Sequence, residues 1–197
     1  MRLILASASP RRAELLRAAG LPFELLPVDV DERVRAGETP EACVRRLASA
    51  KSAAGWAAAG RPDAIVLGAD TIVVAEGAIL GKPRNDDEAR EMLTRLSGRG
   101  HQVLTGVSLR RGARELCRVE TSAVFVAPMS TEEVAWYVES GEGRDKAGGY
   151  AVQGLASRFI ERIEGSYSNV VGLPVALVYH LIRELERDRT VLASKAE

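Results

Sequence analysis

Hydrophobic positions along the chain fall into short contiguous runs that predict buried strands, separated by stripes at helical spacing. Leu3-Ile4-Leu5 predicts a short strand; Ser9 as N-cap and Pro10 at the first helical position open a helix over residues 11–19, closed by Gly20. Residues 23–28 predict a second strand that runs into the acidic stretch Asp29-Val30-Asp31-Glu32. Thr39-Pro40-Glu41 opens a long Ala-rich helix, with Val44, Leu47 and Ala48, then Ala54 or Gly55, near the spacing of one packed face and Lys51 toward its middle. Residues 64–68 form a strongly apolar strand pattern, and residues 71–75 continue extended to a turn at Glu76-Gly77 that returns through Ala78-Ile79-Leu80. Asp70 is expected where that buried strand meets the hairpin.

Asp86-Asp87-Glu88 forms an acidic first turn for a helix carrying Ala89, Met92, Leu93 and Leu96. Strands over 102–110 and 115–126 follow, joined at Gly112, and Thr131-Glu132-Glu133 begins a helix through Val134, Tyr137 and Val138. A glycine-rich loop with Gly141, Gly143, Gly148, Gly149 and Gly154 encloses Asp145-Lys146-Ala147, Tyr150 and Gln153. Residues 159–163 predict a strand, 165–169 a turn, and Leu173-Pro174 the entry to a final helix ending near Glu186, with a frayed tail after Arg187. Strands separated by helices imply an α/β fold with a mixed sheet and flanking helices.

A chain of 197 residues with 46% apolar content can bury one substantial core, and no linker or low-complexity tract divides it, so a single domain is expected. Basic and acidic residues balance at 27 each, which removes any global field for nucleic acid or an anionic membrane. Apolar stretches are too short or interrupted for a membrane span. The first one meets Pro10-Arg11-Arg12 at once and is no signal peptide, so the protein is expected in the cytoplasm. Cys43 and Cys117 have no partners at metal-ligand spacing and are expected as small buried hydrophobes; His101 and His180 are isolated and read as structural.

The densest chemistry is Ser7-Ala8-Ser9-Pro10-Arg11-Arg12, which sets hydroxyls and guanidinium groups at a strand-to-helix corner. Free amides at a helix start favour phosphate, and arginines add charge-assisted hydrogen bonds, although a capped helix with solvated arginines has the same pattern. Glu32, Asp70-Thr71 and Gly81-Lys82-Pro83 also fall at expected element ends, where neighbouring strands of an α/β sheet converge on one crevice. Cations together with Glu32 and Asp70 suit a triphosphate with a divalent metal, with one carboxylate activating water. Each has a plainer reading: a bend for Asp70-Thr71, a solvated helical lysine for Lys51, a turn for Lys82, a solvated loop for Glu32 and backbone satisfaction for Gln153, whose carboxamide could equally read a base edge. Walker, dinucleotide-fingerprint and nucleophile-elbow patterns are absent, which removes P-loop kinase, Rossmann oxidoreductase and serine hydrolase readings.

Taken together, six ordered segments resemble the Maf family of nucleoside triphosphate pyrophosphatases over nearly the whole chain. They are Leu5-Ala6-Ser7-Ala8-Ser9-Pro10-Arg11-Arg12, Gly68-Ala69-Asp70-Thr71-Ile72-Val73, Gly81-Lys82-Pro83, Leu96-Ser97-Gly98, Asp145-Lys146-Ala147-Gly148-Gly149-Tyr150, and the run from Gly165-Ser166-Tyr167-Ser168-Asn169 to Leu173-Pro174. Ala8 departs from the glycine or serine common there. The resemblance implies a two-lobed fold shared with the inosine triphosphate pyrophosphatases, a nucleotide cleft between the lobes, and hydrolysis to monophosphate and pyrophosphate aided by magnesium or manganese. Arg11 after Ser-Pro, Thr71 after Asp70, and Gln153 in the late loop resemble the branch acting on dTTP and UTP rather than that acting on 7-methyl-GTP. The resemblance makes Asp70 the general base and a metal ligand, with Glu32 supporting the metal. It makes Arg12, Lys51 and Lys82 phosphate-binding, with Ser7 and Ser9 completing the cradle, and Arg11, Thr71 and Gln153 base-selecting. It also implies a homodimer. The alternatives are a non-catalytic nucleotide-binding regulator of septum formation and a nucleic-acid module built on Arg11 and Arg12, the latter disfavoured by neutral charge and only nine aromatic residues.

Overall fold

A computed structural model describes residues 2–193, with side chains through Arg187. One mixed sheet runs β2-β1-β3-β5-β6-β7, with β4 also paired to β3. Its strands are β1 (Leu3–Leu5), β2 (Glu24–Leu25), β3 (Ile65–Ala75), β4 (Ala78–Leu80), β5 (Gly100–Arg111), β6 (Arg114–Val126) and β7 (Ile160–Glu164). The helices are α1 (Pro10–Ala18), α2 (Pro40–Ala59), α3 (Asp86–Leu96), α4 (Thr131–Glu139), α5 (Tyr167–Val171) and α6 (Val175–Ala193). β1 is parallel to β2 and β3; every other pairing is antiparallel. Among the described residues no helix is long and apolar enough to cross a membrane.

The organising feature is the length of β3. Asp70 was expected at a strand end, but β3 runs unbroken through Asp70 and Thr71, because β5 pairs with it continuously from Val66 to Val74. On the other edge, β1 pairs only as far as Leu67 and β4 begins only at Val73. Residues 68–72 therefore present an edge that neither strand covers, and the sheet forks there.

Side-chain alternation along β3 assigns its faces. Leu67 and Ala69 pack with α1 and α6 residues such as Leu16 and Leu181, whereas Val73 and Ala75 pack with Leu93 and Leu96 of α3 and Tyr137 of α4. Thr71 lies on the same face, at the seam between these two clusters. The opposite face is covered by α2, through Val44 against Ile72, Val74 and Leu104 and through Trp56 and Ala59 near Ile4 and Val66. α2 approaches so closely that a Cβ on Gly68 would stand 2.3 Å from the Ala48 carbonyl oxygen, and one on Gly106 2.2 Å from that of Val44. These glycines let a helix backbone rest on the strands.

Four local expectations change. β2 spans two residues rather than 23–28, because three-residue β1 offers only Ile4 and Leu5 as pairing partners. The expected turn at 165–169 contains the start of α5, where the Ser166 hydroxyl accepts from Asn169 N–H. Cys43 is buried as expected, but Cys117 is only partly so, on the stretch of β6 before its pairing with β7 begins at Ala123. Helical backbone continues past Glu186 to Ala193; the side chains after Arg187, where fraying was expected, lie outside the described residues.

Candidate active site

A cavity of about 510 Å³ opens at the fork beside β3. All ten predicted site residues line it: Ser7, Ser9, Arg11 and Arg12 from the β1–α1 corner, Glu32 from the following loop, Lys51 from α2, Asp70 and Thr71 from β3, Lys82 after β4, and Gln153 from the late loop.

At the corner, Ser9 holds the N-cap position in extended backbone, yet its hydroxyl makes no capping bond, which leaves the first amides of α1 uncommitted. Ser7 is buried, and its hydroxyl accepts from Ser9 N–H at 3.2 Å and from Arg12 Nη1 at 3.1 Å. Arg12 is buried as well: its Nε donates to the Gly172 carbonyl at 2.9 Å and its Nη2 to Thr71 Oγ1 at 3.2 Å. Every one of these acceptors is neutral. Among the described residues Arg12 has no carboxylate within ion-pair distance. Burial pulls its pKa below the ordinary value, opposed by the nearby charges of Asp70 and Glu32. A guanidinium held rigidly by neutral groups, at a helix start facing a cavity, is a positive charge awaiting an anion.

On sequence grounds Lys51 has the plainer reading of a solvated helical lysine. Here it is buried, and its Nζ lies 2.7 Å from Asp70 Oδ1 and 2.5 Å from Glu32 Oε1. Gly68, two residues before Asp70 on the same face of β3, permits the close helix packing that delivers it. Asp70 is itself buried, and Oδ2 has no hydrogen-bond partner among the described residues. Burial raises the Glu32 pKa, but the Lys51 hydrogen bond and the charges of Lys51, Lys82 and Arg12 outweigh it and hold the carboxyl below its usual value. Among the described residues no three His, Cys, Asp or Glu side chains form a metal-holding group. Glu32 and Asp70 nonetheless converge on one point, marked by Lys51 Nζ. Two carboxylates suit a hard divalent cation that completes its shell with water and phosphate oxygens.

The base-selecting candidates occupy different settings. Arg11 reaches across the cavity mouth to Asp145, with Nη1 3.4 Å from Oδ2. Gln153 is exposed and its carboxamide has no partner among the described residues. Thr71 Oγ1 is tied inward, 2.9 Å from Thr105 Oγ1 and 3.2 Å from the Gly172 carbonyl oxygen, so its visible role is to hold Arg12. Lys82 is exposed, and its loop is joined to the late loop where Gly148 N–H donates to the Gly81 carbonyl at 3.0 Å.

Residues that sequence reasoning passed over complete the frame. Thr105 is fully buried behind Thr71, and no local pattern signals it. Asp145 lay inside the glycine-rich loop already singled out. Glu142 fixes that loop, its carboxylate accepting from Tyr137 Oη at 2.7 Å and from Leu155 N–H at 2.9 Å. His101 is structural, as expected: its Nε2 is 2.7 Å from the Tyr150 hydroxyl, and burial lowers its pKa to about 4.

A family model described as Maf-like protein matches residues 2–185. A dTTP/UTP pyrophosphatase of Syntrophus aciditrophicus is 53% identical over 186 residues, covering 93% of this chain and 90% of its own. One of Symbiobacterium thermophilum is 54% identical over 173 residues, covering 88% of each chain. Among solved structures, the Staphylococcus aureus Ham1 protein matches with a TM-score of 0.46 at 17% identity, over 64% of this chain and 72% of that one. That overlap is too slight to bear on the fold, which rests on the sheet itself. The extent of the family match and the identity to these relatives show that the chain belongs to the Maf family.

Proposed function

We propose that this chain is a nucleoside triphosphate pyrophosphatase that hydrolyses dTTP and UTP to the monophosphate and pyrophosphate in the cytoplasm. It works as one domain, with the nucleotide in the cleft beside β3. Kinship with relatives named dTTP/UTP pyrophosphatase supports the substrate class. The observation that carries the reading is Arg12, buried and without a carboxylate partner among the described residues, at the wall of a cavity large enough for a nucleotide.

In this reading Arg12, Lys51 and Lys82 bind the phosphates, with the Ser7 and Ser9 hydroxyls and the open amides of α1 completing the cradle. Lys51 fixes the rotation of the Asp70 carboxylate through Oδ1 and leaves Oδ2 to take a proton from water. The water oxygen bonds to the α-phosphorus as the bond to the bridging oxygen breaks, and pyrophosphate leaves with the electron pair. The three cations offset the charge that builds on the leaving group. Glu32 and Asp70 would hold a divalent cation, magnesium or manganese, which when bound supplies further positive charge to the phosphates. Arg11, Thr71 and Gln153 form the base-selecting set, Thr71 indirectly, through the Arg12 side chain that its hydroxyl holds. Arg11 and Gln153 offer donors to the two carbonyls of uracil or thymine and Gln153 an acceptor to its N–H, and a mismatched base strands polar groups.

The test is pyrophosphate release from dTTP, UTP, CTP, GTP and 7-methyl-GTP with magnesium or manganese, for wild type and Asp70→Asn. Turnover of dTTP and UTP, reduced at least about 10²-fold in the variant, is expected. Tight nucleotide binding without turnover would instead favour a regulatory role.

A further inference from the structure

Arg11 and Gln153 both line the cavity, and a chain of polar contacts connects their supports. Arg11 Nη1 lies 3.4 Å from Asp145 Oδ2; Asp145 Oδ1 accepts from Lys146 Nζ at 2.6 Å; and Lys146 Nζ also donates to the Glu142 carbonyl at 2.6 Å. The Glu142 carboxylate in turn takes Leu155 N–H, two residues beyond Gln153. Asp145 stands on the cavity wall with its side chain two-thirds exposed, whereas that of Arg11 is only 24% exposed. Arg11 is therefore mostly enclosed and, among the described residues, has one carboxylate to orient it.

We infer that Asp145 is a specificity-determining positioning residue: by holding one Arg11 nitrogen at the cavity mouth, it aims the remaining N–H donors at a carbonyl of the bound base. The inference rests on the proposed pyrophosphatase reading and deepens it. A long arginine left unpinned samples many rotamers, so the free donors would meet a carbonyl only part of the time. A single pinned nitrogen keeps the planar fork in register. Its effect falls on the choice between bases. Uracil and thymine present a carbonyl at ring position 4, where cytosine presents an amino group that an arginine donor repels. An exposed ion pair at 3.4 Å adds little to folding, so a role in orientation separates from a role in stability.

The experiment measures kcat and KM for UTP and CTP in wild type, Asp145→Ala, Asp145→Glu, Arg11→Ala and the Arg11→Ala/Asp145→Ala double variant, with a thermal melt of each. Asp145→Ala is expected to lower the UTP-to-CTP ratio of kcat/KM about tenfold, mainly through a higher KM for UTP and with an unchanged melt. Asp145→Glu should recover part of the ratio. In the Arg11→Ala background the second change should do nothing more to it, because the lost partner is already gone. An unchanged ratio in Asp145→Ala, equal losses for both nucleotides, or a full second loss in the double variant, which would mean an action through Lys146, each overturns the inference while leaving the pyrophosphatase reading intact. Failure of wild type to hydrolyse UTP and dTTP overturns the reading itself and the inference with it.

Discussion

Gly68→Ala tests whether the seat of α2 on β3 sets the catalytic geometry. The added Cβ would lie 2.3 Å from the Ala48 carbonyl oxygen, 2.5 Å from Ser52 N and 3.1 Å from the Lys51 carbonyl carbon, all backbone atoms of one helix segment. No rotamer change relieves a clash with backbone. Contacts shorter than 3.0 Å are essentially never made by a real Cβ, so the helix must retreat by at least about 0.7 Å. A movement of that size along the contact direction takes the 2.7 Å Lys51–Asp70 bond to the edge of hydrogen-bond reach. Overpacking of this kind costs about 1–3 kcal/mol, and for a chain of this length each kcal/mol lowers Tm by roughly 2–4 °C. Thermal melts and pyrophosphate release from dTTP should therefore show a fall of several degrees together with a fall in kcat of about tenfold or more. Gly106→Ala, which meets Val44 instead, should lower Tm comparably with a smaller effect on kcat, because Val44 lies two helical turns from Lys51. A Gly68→Ala protein with wild-type Tm and kcat would refute the reasoning; equal kcat losses in both variants would show that distortion near Lys51 is not what matters.

Lys51→Met removes the cation shared by Asp70 and Glu32 and leaves a buried carboxylate unpaired, so unfolding should become easier by about 3–5 kcal/mol in a denaturant titration. Adding Asp70→Asn should restore part of that stability but no activity. His101 is held neutral by burial, at about 4 against an ordinary 6.5. The unfolded chain takes up a proton that the folded chain refuses as pH falls through this window. Stability is complete above pH 6.5 and declines toward pH 4, by up to about 3 kcal/mol, and His101→Gln should flatten the Tm profile there. Glu32 acts in the same direction in a more acidic window: its depressed pKa adds stability above the ordinary carboxylate range that is lost as pH falls through the lower folded value. Glu32→Gln should remove that acid-side component and leave the His101 window unchanged.

Much of this organisation is legible in the sequence because it is local. The run Leu3-Ile4-Leu5 with Ser9-Pro10, the Thr39-Pro40 start of α2 and the acidic first turn of α3 carry their own cap and period signals, and the structure places these elements within a residue of expectation. What stays hidden depends on pairing over long sequence distances. β3 could not be read as continuous, because the polar pair Asp70-Thr71 interrupts its apolar run and only pairing with β5 carries it through. Lys51 looks like any helical lysine until Gly68 and Gly106 are known to lie beneath α2. Thr105 has no local signature, since its importance comes from standing opposite Thr71 in the β3–β5 register.

The continuity of β3 also accounts for how the site separates its tasks. Adjacent residues on a strand point to opposite faces, so Asp70 and Thr71, neighbours in sequence, serve two different structures. Asp70 turns toward α2 and meets Lys51 and, through it, Glu32. Thr71 turns toward the seam between the α1–α6 and α3–α4 clusters, where it meets Arg12 and the Gly172 carbonyl. Had the strand ended at Gly68, these side chains would sit on a loop whose own freedom would blur both contacts. Paired along one edge with β5 and bare along the other from 68 to 72, the segment is rigid yet open to a ligand. A one-residue insertion between Asp70 and Thr71 should therefore do more harm than its volume suggests. It moves every later residue of β3 to the other face, sending Val73 and Ala75 out of the core they share with Leu93 and Leu96. Loss of the cooperative melt is the expected result; a folded, active insertion variant would show that the strand's register is not what holds the site.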